Sequence, residues 1–255
     1  MNKSLIFALA AALAHLALAQ DKMPKVKTPK EGEAIEALLQ AQAADARIAA
    51  AENLLTKFAD TEFKVFALQL ATEAANEQND PEKVIIYGER TLEADPKNYF
   101  AMLRIATVLA QRTREFDLDK EEKLGRADKL AKDAIALVKD APKPWFYGNA
   151  TDEQWAAAKG DLTAEGYEAL GMSAMARKKF DEAAASFKTA AQTANNADAK
   201  IRANLRLSQA LNADAKYDEA LAILEPMLAD QNLNPAYRQF AGQEKLKAVT
   251  GKAKK

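Results

Sequence analysis

The sequence predicts an all-α protein. Three observations carry that prediction. Alanine, leucine, lysine and glutamate dominate the 255 residues, while glycine (9) and proline (8) are sparse; these are helix formers, and the composition disfavours a turn-rich β fold. Helix start and stop signals follow one another from Glu31 almost to the end. One helix-pair pattern then recurs after 37 residues. A hydrophobic fraction of 49% supports a core, and 29% charged residues support a soluble surface.

Residues 1–19 stand apart. MNKS is followed by LIFALAAALAHLALA, an apolar run of fifteen that includes His15, and Ala17-Leu18-Ala19 sets small residues where a signal peptidase reads. The run is shorter than the roughly 20 residues a spanning helix needs, so we read a secretory signal peptide cleaved before Gln20, with an uncleaved signal anchor as the alternative. Cleavage removes the only histidine, His15, and with Lys3 it moves the net charge from −1 to −2. The chain has no cysteine. Lipid attachment to an N-terminal cysteine is therefore excluded, no disulfide can form, and helix packing alone must stabilise the fold. The mature chain lacks both residue types that do most nucleophilic, acid/base and zinc chemistry near neutral pH. We expect no catalytic residues, no metal and no cofactor. The near-neutral charge gives no reason to expect nucleic acid, and no stable membrane insertion is expected after cleavage.

The elements follow in order. Residues 20–30, QDKMPKVKTPK, are polar, basic and proline-punctuated, and read as a disordered leader. EAIEALLQAQ and DARIAAAENLLTKFADTEF form a first helix pair, unit 31–60. Helices 61–78 and 81–94 form the next, unit 61–96. KVIIYG at 83–88 looks strand-like locally, but Asp80 is a good N-cap, Pro81 suits the first helical position and Glu82 the helix N-terminus. NYFAMLRIATVLAQR and GRADKLAKDAIALVKDA make unit 98–141, split by the insertion TREFDLDKEEKL. Its alternating acids hint at calcium but lack the glycine and spaced glutamate of an EF-hand; a solvated turn, with Asp119 as cap and Glu122 completing a capping box, fits better.

A linker and extra helix, 142–161, open with PKPWFYGNATDEQW. Thr151 and Gln154 make a capping box, which puts Trp155 fourth in the new helix. Trp145, Phe146, Tyr147 and Trp155 are either a hydrophobic plug or a ligand-facing patch. Gly160 and Gly166 flank DLTAE, read as a helix junction and not a phosphate cradle.

The repeat follows. Tyr167, Leu170, Gly171 and Ala174 share one helix face, and Phe180, Ala183, Phe187 and Ala190 share another. Small Gly171 and Ala183 let the helices approach, and Tyr167 and Phe187 fill the space. In the next unit Leu207, Ser208 and Leu211 match Leu170, Gly171 and Ala174, while KYDEALAIL restates KFDEAAASF. Pro226 should kink or shorten the last helix of this unit. Units 164–195 and 201–232 are followed by a capping helix, 234–249, and a loose basic tail, 251–255.

This spacing closely resembles the tetratricopeptide repeat (TPR) family, strictly over 164–230 and loosely over 31–250. The resemblance implies a right-handed superhelix of stacked hairpins, an α-solenoid of the exported bacterial type, placed in the periplasm with secretion as the alternative. In it, Gly88 stands where a large aromatic is usual, so the second unit is expected to pack less tightly. The family binds proteins or peptides on its concave face. By alignment that face includes Phe100, Leu103, Arg104, Thr107, Met172, Met175, Arg202, Leu205, Arg206 and Gln209. Arg202 and Arg206 lie one turn apart and can point at one carboxylate, or they are surface charges paired with nearby acids. Leu103, Thr107 and Ala169 replace the polar partners of the family's carboxylate clamp, so a full clamp is not expected. The implied function is a non-catalytic protein-binding scaffold in cell-envelope assembly or maintenance. A small-molecule or glycan-binding protein using loop 142–155 is the alternative.

Overall fold

A computed structural model describes residues 23–254, so the signal peptide read at 1–19 lies outside the described residues. Among those described, eleven α-helices and one 3-10 turn follow one another without a strand. They are α1 (Pro29–Gln40), α2 (Ala44–Lys57), α3 (Lys64–Glu77), α4 (Pro81–Ala94), α5 (Tyr99–Arg112), α6 (Lys120–Asp140), the 3-10 turn (Trp145–Tyr147), α7 (Asp152–Ala176), α8 (Phe180–Thr193), α9 (Ala197–Ala213), α10 (Tyr217–Ala229) and α11 (Pro235–Lys252). Every helix packs on the next one in the chain, and the first helices of neighbouring hairpins touch: α3 with α5, α5 with α7, α7 with α9, and α9 with α11. Contacts confined to neighbours make this an α-solenoid of helical hairpins.

Three hairpins turn in the same way. Asn79, Lys178 and Ala215 have positive φ, of 54°, 61° and 57°. After each, the next N–H reaches back five residues: Asp80 to Ala75 O, Lys179 to Ala174 O and Lys216 to Leu211 O, at 2.8–3.0 Å. This left-handed C-terminal turn satisfies carbonyls that the helix end leaves open. Its return at 178 and 215 reproduces, in backbone geometry, the 37-residue period read from side chains.

Close approach holds each hairpin. A Cβ added to Gly171 would lie 2.5 Å from Phe187 Cε1, so the ring occupies the space the glycine leaves. Gly88 behaves likewise against Ile105 Cγ1, at 2.8 Å. The looser packing expected there is corrected: Ile105, from the following helix, supplies the bulk that the second unit lacks.

Other boundaries also move. The junction expected between Gly160 and Gly166 does not exist; α7 runs unbroken for 25 residues and joins the extra helix to the first helix of the repeat. Both glycines are contact points instead. A Cβ on Gly160 would lie 2.2 Å from Asn195 Nδ2, and one on Gly166 2.6 Å from Ile135 Cγ1. The leader is shorter than expected, because Thr28 caps α1 at Pro29, and the Lys25 N–H donates to Glu62 Oε2 at 2.9 Å. The tail is shorter too: α11 reaches Lys252, with Gly251 seated against the Tyr217 ring. α10 passes through Pro226 to Ala229. The capping box expected at Asp119 is not formed; its carboxylate pairs with Lys123 at 2.9 Å, and Asp117 accepts from the Arg114 N–H.

Two substitutions test this packing. Ala215→Gly removes a Cβ from a left-handed residue and is expected to raise stability by about 0.5–1 kcal/mol. Gly171→Ala forces Phe187 out of place and is expected to cost about 1–3 kcal/mol. Urea unfolding followed by circular dichroism reads both, and the opposite signs make the pair decisive.

Candidate functional site

The inner face of the solenoid carries a cleft of about 740 Å3. Asn76 and Asn79 come from the end of α3, Arg104, Thr107 and Gln111 from α5, and Tyr147 from the loop. Asp161, Leu162, Glu165, Glu168 and Met172 line it from one face of α7, and Asp198, Arg202 and Arg206 from α9. The spacings on α7 and α9 are those of single helix faces, which explains why residues so far apart in sequence converge.

The charges here fall into two kinds. Arg104 is fully engaged: its Nε donates to both oxygens of Glu73, at 2.9 and 3.0 Å, and its Nη1 to Glu165. Burial works against its charge, but Glu165 and Glu73 outweigh it and hold the guanidinium above its ordinary pKa. Arg104 therefore ties α3, α5 and α7 together. The pair on α9 is looser. Glu168, whose side chain is 9% exposed, lies 3.7 Å from Arg202 Nη2 and 3.5 Å from Arg206 Nε. Arg202 also holds Asp198 at 2.6 Å, and Asp198 accepts from the Tyr237 hydroxyl. Arg206 makes no hydrogen bond among the described residues, and burial draws its pKa down. Burial lifts the Glu168 carboxyl above the ordinary range; the two arginines oppose that rise without cancelling it.

The residues expected on the concave face separate accordingly. Arg104, Thr107, Met172, Arg202 and Arg206 line the cleft. Leu103 does not: at 1% exposure it belongs to the core, against Gly166. Adjacent residues on a helix point about 100° apart, so Leu103 and Arg104 cannot share the groove. Leu205 is likewise buried, and Met175 packs on the core. Gln209 is exposed but lies outside the cleft, and Phe100 joins the aromatic group instead. The sequence reading missed Glu168 and Asp161. Asp161 accepts the Asn195 and Asn196 N–H groups at 2.7 and 2.8 Å and so anchors the start of α9. The available signal was the opposite charge about one repeat away, since Arg202 and Arg206 follow Glu168 by 34 and 38 residues, either side of the 37-residue period.

The aromatic loop divides between its two readings. The capping box forms as expected, with Gln154 N–H donating to Thr151 Oγ1 and Thr151 N–H to Gln154 Oε1. Trp155 is buried at 6% exposure, donates its indole N–H to Ala141 O at 3.2 Å, and stands edge-on to Tyr147. Trp145 and Phe146 are half-buried against the core of α1–α4, with Trp145 4.8 Å from the Phe66 centroid. The loop thus packs onto one core with Trp145 and Phe146 and closes the start of α7 with Trp155.

Among the described residues no group of three or more His, Cys, Asp or Glu side chains is placed to hold a metal, and no helix is long and apolar enough to cross a membrane. No family model and no curated protein matches the chain. Among solved structures it is similar to the assembly chaperone of RpL4 (Acl4, residues 1–338), with 14% identity, 89% of this chain and 99% of that one covered, and a TM-score of 0.40. The architecture described above rests on the chain's own contacts.

The Glu168 environment makes a pH prediction. The folded chain holds this proton more tightly than the unfolded chain does. Glu168 therefore costs stability at neutral pH, and the cost is relieved as pH falls through its raised folded pKa toward the ordinary carboxylate range. We expect the parent to gain stability relative to Glu168→Gln as pH drops from about 7 to about 5. Paired urea midpoints measure this; a difference that stays constant over that range contradicts the assignment.

Proposed function

We propose that this chain is a non-catalytic scaffold of the tetratricopeptide type, exported to the periplasm, that binds a segment of another protein on its inner face. The observation that carries the reading is the unsaturated charge in the cleft. Arg104 has its carboxylates at hydrogen-bond distance, whereas Arg206 and Glu168 face each other across 3.5 Å without a hydrogen bond. Beside them the side-chain amides of Asn76, Asn79 and Gln111 line the cleft with no hydrogen bond among the described residues. Each such amide offers donors and acceptors to a peptide backbone, and Arg206 offers a charge-assisted contact. The apolar N-terminal run ending in Ala17-Leu18-Ala19 supports export. Assembly or maintenance of the cell envelope is the working role.

The test is a pull-down from envelope extract using residues 20–255, with Arg202→Glu/Arg206→Glu alongside and circular dichroism confirming that both are folded. We expect a partner retained by the parent to fall at least about tenfold in the double variant, the loss that corresponds to a charged hydrogen bond. A partner held equally by both contradicts the assignment of the cleft.

A further inference from the structure

A second concavity, of about 270 Å3, lies between the start of α3, the start of α5 and the loop before α7. The rings of Phe66, Phe100, Trp145 and Phe146 line it. They form a connected series, with Trp145–Phe66 at 4.8 Å, Phe66–Phe146 at 5.4 Å and Phe146–Phe100 at 6.0 Å between centroids. Two polar groups meet this wall without a partner. Gln69 lines the cleft at 8% exposure, and its amide takes part in no hydrogen bond among the described residues. The Trp145 indole N–H makes none either, in contrast to that of Trp155. Neither is among the fully buried unpartnered atoms of the described residues, so each reaches solvent and exchanges a water for a ligand carbonyl, a net gain of about 0.5–1.5 kcal/mol.

Two of the chain's own prolines line this cleft. Pro144 is buried in the same wall, and Pro24, in the segment before α1, lines it as well. A polyproline II strand has no internal hydrogen bonds and presents its carbonyls outward. Aromatic grooves take such strands by ring contact plus a few donors to those carbonyls, and the Trp145 N–H and the Gln69 amide are donors of that kind. The polar rim that a carbohydrate would use is already partly engaged. Glu62 accepts from the Lys25 N–H, Asp95 from the Lys97 N–H and Asn98 from the Ala101 N–H.

We propose that the cleft formed by Phe66, Phe100, Trp145 and Phe146 docks an extended, proline-containing segment of a partner protein, with Trp145 Nε1 and the Gln69 amide hydrogen bonding to its backbone carbonyls. The proposal does not rest on the arginine cleft, and its test is independent of that one. Fluorescein-labelled hexaproline is titrated into residues 20–255 and followed by anisotropy, beside a glycine-serine peptide of equal length. Trp145→Phe keeps a ring and deletes the N–H; Gln69→Met keeps the length and deletes the amide. We expect saturable binding of hexaproline only, weakened about fivefold by each variant, the equivalent of one neutral hydrogen bond, and unchanged in Arg206→Ala. The proposal is overturned if hexaproline does not saturate, if the glycine-serine peptide binds as well, or if both variants bind like the parent. Saturation of the parent's tryptophan emission by chitotriose, with no response to hexaproline, overturns it in favour of a glycan.

Discussion

The fold depends on close approach at a few glycines. A hairpin in a solenoid touches only its neighbours, so no central core rescues one that fails to lock. At Gly171 the missing side chain is replaced by the Phe187 ring, and at Gly251 by the ring of Tyr217. The large residue is not the same position in consecutive repeats: Tyr217 corresponds to Phe180 in sequence, yet the bulk against the glycine comes from Phe187 in one unit and from Tyr217 at the cap. The repeat conserves a way of packing a ring onto bare backbone more strictly than it conserves the pair that does it.

Much of this was legible. The two KFDEA and KYDEA segments fixed the period, and the caps at Asp80 and Thr151 fixed helix starts, because a cap is a local hydrogen bond that needs no knowledge of the rest of the fold. The charges also carry the period. Lys216 pairs with Asp181 and Lys252 with Asp218, each about one repeat back. Such exposed pairs contribute little stability; their value is as a record of which surfaces meet. What the sequence hid is of another kind. Gly160 and Gly166 look like breaks because a helix interior normally disfavours glycine by about 1 kcal/mol. Only the neighbours show why a side chain is excluded there: the Thr193 carbonyl against Gly160 and Ile135 against Gly166. Leu103 and Leu205 were misplaced for a related reason: the alignment gave each helix but not its rotation.

The interruption of the repeat matters as much as the repeat. Because α7 is continuous, its first turns extend beyond the first helix of a regular hairpin, and Asp161 on that extension holds the start of α9. The loop before it brings Trp145 and Phe146 back onto α3 and α5. Tyr147, one residue further, lines the arginine cleft. One short loop therefore contributes walls to two concavities of opposite character, aromatic on one side and charged on the other.

That arrangement follows from how a solenoid can acquire specificity. Regular hairpins repeat their inner-face chemistry along the stack, whereas an irregular loop is free of the packing pattern and can carry side chains the repeat would exclude. Here the rigid elements supply position: Arg104 ties α3, α5 and α7 through Glu73 and Glu165, and Trp155 closes the helix that the loop precedes. The groups left over, Arg206 and Glu168 in one cleft and Trp145 and Gln69 in the other, are held by that frame without being consumed by it. The contrast between the fully engaged Arg104 and these less engaged groups, more than the fold class, is what supports the proposal that the inner face binds a partner.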